Sequence, residues 1–211
     1  DFRVSPPLCY TCRMNLLLLL AAYCLGCFTT GYYLTRLVAR RDIRATGSGN
    51  AGSRNVGRLL GAKGFLFTLL GDAGKGLLAV WLARRFGSGD WLPVGALVAV
   101  VAGHIWPLQL HWRGGKGLAT FAGGMLLLQP LVLALGVACC ALLYPVLGGT
   151  TKTALLVLCF SPLLWWSVLR FTALPLQISP FLIYCLLVIL VLFAHRSNIR
   201  LAYFGQIQEG M

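Results

Sequence analysis

Long apolar runs alternate with short polar, glycine-rich blocks along this 211-residue chain. The runs cover residues 15–38, 64–86, 92–110, 118–128, 131–147, 153–169 and 178–194, with breaks at Pro130, at Gly148 with Gly149, and at Pro175. A helix needs ~20 apolar residues to cross a bilayer, so the longer runs span it, and the shorter ones fit tilted or incomplete helices. The pattern predicts an all-α integral membrane protein.

Three blocks interrupt it. The first, GSGNAGSRNVGR at residues 47–58, sets Ser48, Gly49, Asn50, Asn55 and Arg58 among glycines that let successive backbone amides turn outward. With arginine's forked donors this reads as an anion cradle, phosphate above all, or as a plain basic loop. The second block, residues 103–120, repeats that chemistry with His104, Gly115, Lys116, Gly117 and Thr120. It is not a Walker loop, because Lys116 is followed by glycine and no strand precedes it. The third, residues 195–206, carries His195 and Asn198.

Composition narrows the class. With 58% hydrophobic and 11% charged residues, a soluble domain is excluded. The net charge of +13 then points to basic loops near anionic lipid headgroups rather than to nucleic acid. Arg36, Arg40, Arg41, Arg44, Arg54, Arg58 and Lys63 crowd the loop after the first run, which places that loop in the cytoplasm and residues 1–14 outside as an N-terminal segment. Arg84 and Arg85 lie on the outer side, against the usual bias. Four crossings after the second block return the third to the cytoplasmic face, so all three share it. Residues 15–211 read as a single polytopic domain.

Two features sit inside the apolar runs. Asp72 and Lys75 share a helix face, either as a structural ion pair or as part of a site with Lys75 near a ligand. Of the eight cysteines, Cys9 with Cys12 and Cys24 with Cys27 stand at C-x-x-C spacing, but the second pair lies inside an apolar run, where cysteine behaves as a small hydrophobe, so no metal is expected.

Taken together, the blocks resemble the bacterial membrane glycerol-3-phosphate acyltransferases of the acyl-phosphate-dependent (PlsY) type. Asp42-Ile43-Arg44 before Gly47-Ser48-Gly49-Asn50, with Asn55 and Arg58, matches that family's first motif, and Asp72, Lys75 and Gly76 match its D-x-x-K-G helix. Gly103, His104, Pro107, Gly114 to Gly117, Ala119 and Thr120 match the second motif; His195, Arg196, Asn198 and Ile199 match the third. Ser53 and Arg54 stand where the family has Ala-Thr, and Ser197 where it often has Glu.

The resemblance implies a compact bundle of about seven transmembrane helices, some short, in a bacterial inner membrane, with the active site on the cytoplasmic side. It implies transfer of a fatty acyl group from acyl-phosphate to the 1-hydroxyl of sn-glycerol 3-phosphate, giving lysophosphatidic acid and phosphate. Ser48, Lys116 and His195 are then catalytic. Gly49, Asn50, Asn55, Arg58, Lys75, His104, Gly115, Gly117, Thr120 and Asn198 bind substrate. His104 could instead be a packed, hydrogen-bonded residue, and the general base is open between His195 and a substrate phosphate oxygen. No cofactor and no obligatory protein partner is expected beyond the two substrates and the bilayer.

Two rivals are weaker. An anion transporter should show repeated halves, which this chain lacks. The H-x-x-x-x-D acyltransferases are excluded because Gln109, Lys116 and Arg200 stand at the required position after each histidine.

Overall fold

The computed structural model describes residues 8–203. All described elements are helical: α1 (Leu8–Cys27), α2 (Thr30–Ala39), α3 (Ser53–Phe86), α4 (Leu92–Ile105), α5 (Leu118–Leu128), α6 (Pro130–Leu147), α7 (Thr150–Phe171), α8 (Ile178–Ala194) and α9 (Arg196–Tyr203), with 3-10 turns at Ile43–Ala45 and Leu108–Leu110. Among the described residues, five elements are long and apolar enough to cross a membrane, α1 and α2 counting as one of them, and the apolar α5 and α8 are shorter. This is the all-α membrane architecture with some short helices that the apolar pattern and the family resemblance together imply.

Three boundaries differ from the sequence reading, each for a physical reason. The run at 15–38 is not one helix: Phe28 and Thr29 are non-helical, and Thr29 is the extended N-cap of α2. At its other end α1 begins at Leu8, ahead of the expected start at residue 15. Residues 53–58, expected as loop, form the first turns of α3. There Val56, fully buried, packs on Ile43 and Ala51 and holds the segment down. A left-handed Gly61 (φ 71°) kinks α3 and separates this amphipathic start from the part that matches the predicted span.

The chain forms two compact units, one ending at Leu128 and the other starting at Gln129. Within the first, α1 packs on α4 and α3 on α5. Both pairs approach so closely that only glycine fits. A Cβ on Gly26 or Gly103 would strike the carbonyls of Val100 or Tyr23, and one on Gly76 or Gly123 those of Thr120 or Ala73. In the second unit, Pro162 removes the N–H that Leu158 would receive within α7, and the Ser161 hydroxyl donates to that carbonyl instead (2.7 Å). Tyr184 of α8 donates to Ser161 in turn (2.7 Å), with Trp165 edge-on against its ring.

Candidate active site

The first motif is built around two side chains. Asp42 caps the 3-10 turn by accepting from the Arg44 N–H (2.9 Å), while its carboxylate meets the Arg44 guanidinium at 2.8 Å and that of Arg36 at 3.7 Å. The hydrogen bond from Arg44 holds the Asp42 carboxyl below its usual range despite partial burial, and the same bond raises the Arg44 value. Both guanidiniums lie over the Tyr32 ring, 4.8 Å from its centroid for Arg44 and 5.6 Å for Arg36.

Asn55 is the second organiser. Buried to 3% exposure in the first turn of α3, it donates to the carbonyls of Ile43 (3.1 Å) and Thr46 (2.9 Å) and accepts from the Ser48 N–H (3.1 Å). A Cβ on Gly47 would collide with its carboxamide oxygen, and Gly47 and Gly49 both adopt left-handed φ. The loop therefore wraps around Asn55. Ser48, Gly49, Arg54 and Arg58 are exposed or half-exposed, and Asn50 is half-buried.

Arg44 joins this loop to the second motif. Its Nη1 donates to the Leu110 carbonyl (2.7 Å) and reaches that of Arg113 (3.5 Å). From there the glycine run folds back along the end of α4: the Gly114 N–H donates to Ile105 (3.1 Å) and the Gly115 N–H to His104 (3.0 Å). A Cβ on Gly115 would overlap His104 Nε2. These glycines serve close packing, and their amides are spent on α4, as the Ser48 and Gly49 amides are spent on Asn55 and Thr46. The expected cradle of backbone amides is thus not the arrangement found at these four positions. The polar side chains at these places are the exposed Ser48 in the first loop, the exposed Arg58 in the first turns of α3 and the half-buried Lys116 beyond the glycine run. Thr120, in the first turn of α5, is fully buried and its hydroxyl has no hydrogen-bond partner among the described residues.

Asp72 and Lys75 meet as an ion pair inside the first unit. Both are buried, 3.1 Å apart, at the break between α1 and α2. The Lys75 ammonium donates to the Gly26 (3.1 Å) and Phe28 (2.9 Å) carbonyls, and Asp72 accepts from the Thr30 N–H (3.4 Å). A cation thus meets the carbonyl end of one helix and an anion the amide end of the next, each matching the local dipole and the orphaned backbone groups. His104 Nδ1 lies 2.7 Å from Lys75 Nζ and 3.6 Å from Asp72. His104 is thus packed and hydrogen-bonded, and its carbonyl, accepting from the Gly115 N–H, ties this ion pair to the Gly115 loop.

In the second unit His195 ends α8, buried, with Nδ1 2.9 Å from the Val191 carbonyl. A carbonyl only accepts, so Nδ1 carries a proton in this contact. The third block is helical rather than a loop: Arg196–Tyr203 is α9, with the half-buried Asn198 in its first turn. Residues 204–206 of that block lie outside the described residues, as do the side chain of Cys9 and residues 1–7. Among the described residues no group of three His, Cys, Asp or Glu side chains converges as metal ligands would. The sequence reading missed the Asp42–Arg44 fork as a connector. Its signal was the D-x-R spacing, which it noted only as part of a motif.

Helices of this length and apolarity, with cationic motif loops joined at one end of the first unit, define a polytopic membrane protein built to handle an anionic group. The chain matches the family model "Glycerol-3-phosphate acyltransferase" over residues 16–204. It is 41% identical over 187 residues to glycerol-3-phosphate acyltransferase 1 of Desulfitobacterium hafniense (strain Y51), covering 89% of this chain and 90% of that one. It is 38% identical over 192 residues to the glycerol-3-phosphate acyltransferase of Pseudomonas aeruginosa (strain LESB58), covering 90% and 96%. Its fold is similar to the crystal structure of PlsY (YgiH), an integral membrane glycerol 3-phosphate acyltransferase. The glycerol 3-phosphate form aligns with a TM-score of 0.79 at 27% identity over 91% of this chain and 93% of that one. The lysophosphatidic acid form aligns with a TM-score of 0.76 at 26% identity over the same shares of the two chains. The chain belongs to the glycerol-3-phosphate acyltransferase family, and the transporter alternative falls away.

Proposed function

We propose that this protein transfers a fatty acyl group from acyl-phosphate to the 1-hydroxyl of sn-glycerol 3-phosphate at the cytoplasmic face of a bacterial inner membrane. The observation that carries the reading is the Arg44 bridge, which joins the loop of Ser48, leading into Arg58 on α3, to the loop of Lys116. Two phosphate-bearing substrates need this concentration of cationic side chains, and their acyl tails need the surrounding bundle. The acceptor is supported by the family and by the relative crystallised in glycerol 3-phosphate and lysophosphatidic acid forms.

In this scheme Ser48 and Lys116 hold the acyl-phosphate and stabilise the phosphate as it departs. Arg58 holds the glycerol phosphate, with Asn50, Thr120 and Asn198 assigned to substrate by their motifs. The 1-hydroxyl oxygen attacks the acyl carbonyl, and the carbonyl-carbon to phosphate-oxygen bond breaks. The proton goes to a substrate phosphate oxygen or, by motif assignment alone, to His195, whose Nδ1 faces the Val191 carbonyl. Asn55, Gly115, Gly117, His104 and Lys75 act by building the loops.

Acyl-CoA and acyl carrier protein would need a docking surface for a bulky carrier, whereas acyl-phosphate brings a small dianionic head. Purified protein is expected to release phosphate from acyl-phosphate plus glycerol 3-phosphate and to use acyl-CoA of the same chain length negligibly. Efficient direct use of acyl-CoA, insensitive to added phosphate, would overturn the donor assignment.

A further inference from the structure

Between Leu110 and Gly114 the backbone makes a turn that ordinary residues avoid. His111 (φ 55°, ψ 45°) and Trp112 (φ 61°) are consecutive non-glycine residues in the left-handed region. Such a pair persists only where surrounding contacts hold it. Three hydrogen bonds do so: Gln109 donates to the Cys27 carbonyl (2.6 Å), the Trp112 N–H returns to Pro107 (3.1 Å), and the Arg113 N–H returns to Leu110 (3.3 Å). A charged contact adds to them from Arg44, whose Nη1 takes the Leu110 carbonyl while Nε and Nη2 are gripped by Asp42. Beyond the turn, Gly114 and Gly115 register on α4 and deliver Lys116.

We infer that Arg44 is a positioning residue that holds the left-handed His111–Trp112 turn closed and thereby sets where Lys116 stands. Arg44 works as a fork, with Asp42 on two nitrogens and Leu110 on the third, and a lysine's single ammonium cannot span both partners in that geometry. Charge at this place is therefore not sufficient. Because glycine adopts left-handed φ without strain, His111→Gly lowers the load that Arg44 carries. His111 is exposed and stands outside the site, so that change alone leaves turnover near wild type.

The test uses the full-length protein in detergent or nanodiscs with Arg44→Lys, His111→Gly and the double variant. Arg44→Lys is expected to lower kcat/KM by about 10- to 100-fold, the scale of a sub-ångström misplacement. His111→Gly in that background is expected to restore several-fold of the loss. Amide hydrogen exchange at Gly114 and Gly115 should quicken in Arg44→Lys and slow again in the double variant. Should Arg44→Lys fail to fold, Asp42→Asn with and without His111→Gly carries the same comparison, since it loosens the fork and keeps the guanidinium. Wild-type turnover with Arg44→Lys, or folded Arg44→Lys that His111→Gly does not rescue, overturns the inference. So does unchanged exchange at Gly114 and Gly115. The kinetic readout rests on the acyltransferase reading, which wild-type turnover tests separately; the exchange readout does not depend on it.

Discussion

The Ser48 N–H donates to Asn55 Oδ1 at 3.1 Å, so the residue assigned to hold the leaving phosphate is itself held by a buried carboxamide seven positions later. The two donors of Asn55 close the same loop on the Ile43 and Thr46 carbonyls. All the hydrogen-bonding capacity of this carboxamide that these contacts use is spent on protein. Its effect on substrate passes through the shape of the loop.

Asn55→Ala should therefore lower both stability and turnover. It removes one of the donors to each of the Ile43 and Thr46 carbonyls, which keep the Thr46 and Gly49 amides, and it removes the acceptor of the Ser48 N–H, at about 0.5–1.5 kcal/mol per hydrogen bond lost. The expected result is a lower unfolding temperature in detergent together with reduced phosphate release. Asn55→Asp keeps an acceptor for Ser48 but loses both donors, so it should fall with the alanine variant. A normal unfolding temperature in both variants would show that Asn55 does not scaffold the loop.

The buried pair makes a second, separable prediction. Removing one partner of a buried ion pair leaves an uncompensated charge, and the usual loss is about 3–5 kcal/mol. Lys75→Met and Asp72→Asn should each destabilise strongly, and the double variant should lose less than the sum of the two. It will not return to wild type, because the Gly26 and Phe28 carbonyls lose the Lys75 donor. A double-mutant cycle on unfolding free energy measures the coupling, and strict additivity would contradict the staple.

Why the apolar spans were readable and this staple was not follows from what each depends on. A run such as 178–194 is decided by its own composition, since the bilayer forces an apolar segment into a helix whatever its neighbours do. The interruption at Phe28 and Thr29 depends on Asp72 and Lys75 arriving from α3, and no local signal at residues 27–30 announces them. Glycines misled the reading for a related reason. A polar glycine cluster is compatible with exposed amides and with close packing alike, and only the position of α4 shows that Gly114 and Gly115 serve the second. Motif spacing, by contrast, singled out Asp42, Arg44, Asn55 and His104 because they act at fixed offsets from the loops they hold, while what each of them holds shows only in the fold.

Lys116 should be the most damaging single loss that leaves the fold intact. The glycines flanking it offer no side-chain replacement for its charge, so Lys116→Ala is expected to lower kcat by about 100-fold or more, the scale for losing one charge-stabilising donor. Cys12→Ser, at an exposed position on α1, should change nothing and serves as the control. Near-normal turnover in Lys116→Ala would remove this residue from the scheme.

Sidedness can be tested within the first unit alone. The long α3 carries the chain away from the first loop at Ser53 and ends at Phe86, beyond which residues 87–90 lead into α4. Arg44 ties the first loop to the turn before Gly114, so both loops must lie on one side of the membrane and residues 87–90 on the other. Single cysteines at Gly49 and Arg113, in a background without the native cysteines, should resist an impermeant thiol reagent added to intact cells. One at Asp90 should react. Arg84 and Arg85 stand beside that outer turn, so labelling in the reverse order would mean that their charge, and not the Arg36 to Lys63 cluster, sets the orientation. Labelling at Gly49 and not at Arg113 would break the Arg44 bridge itself, and with it the single anion site from which the proposed chemistry is derived.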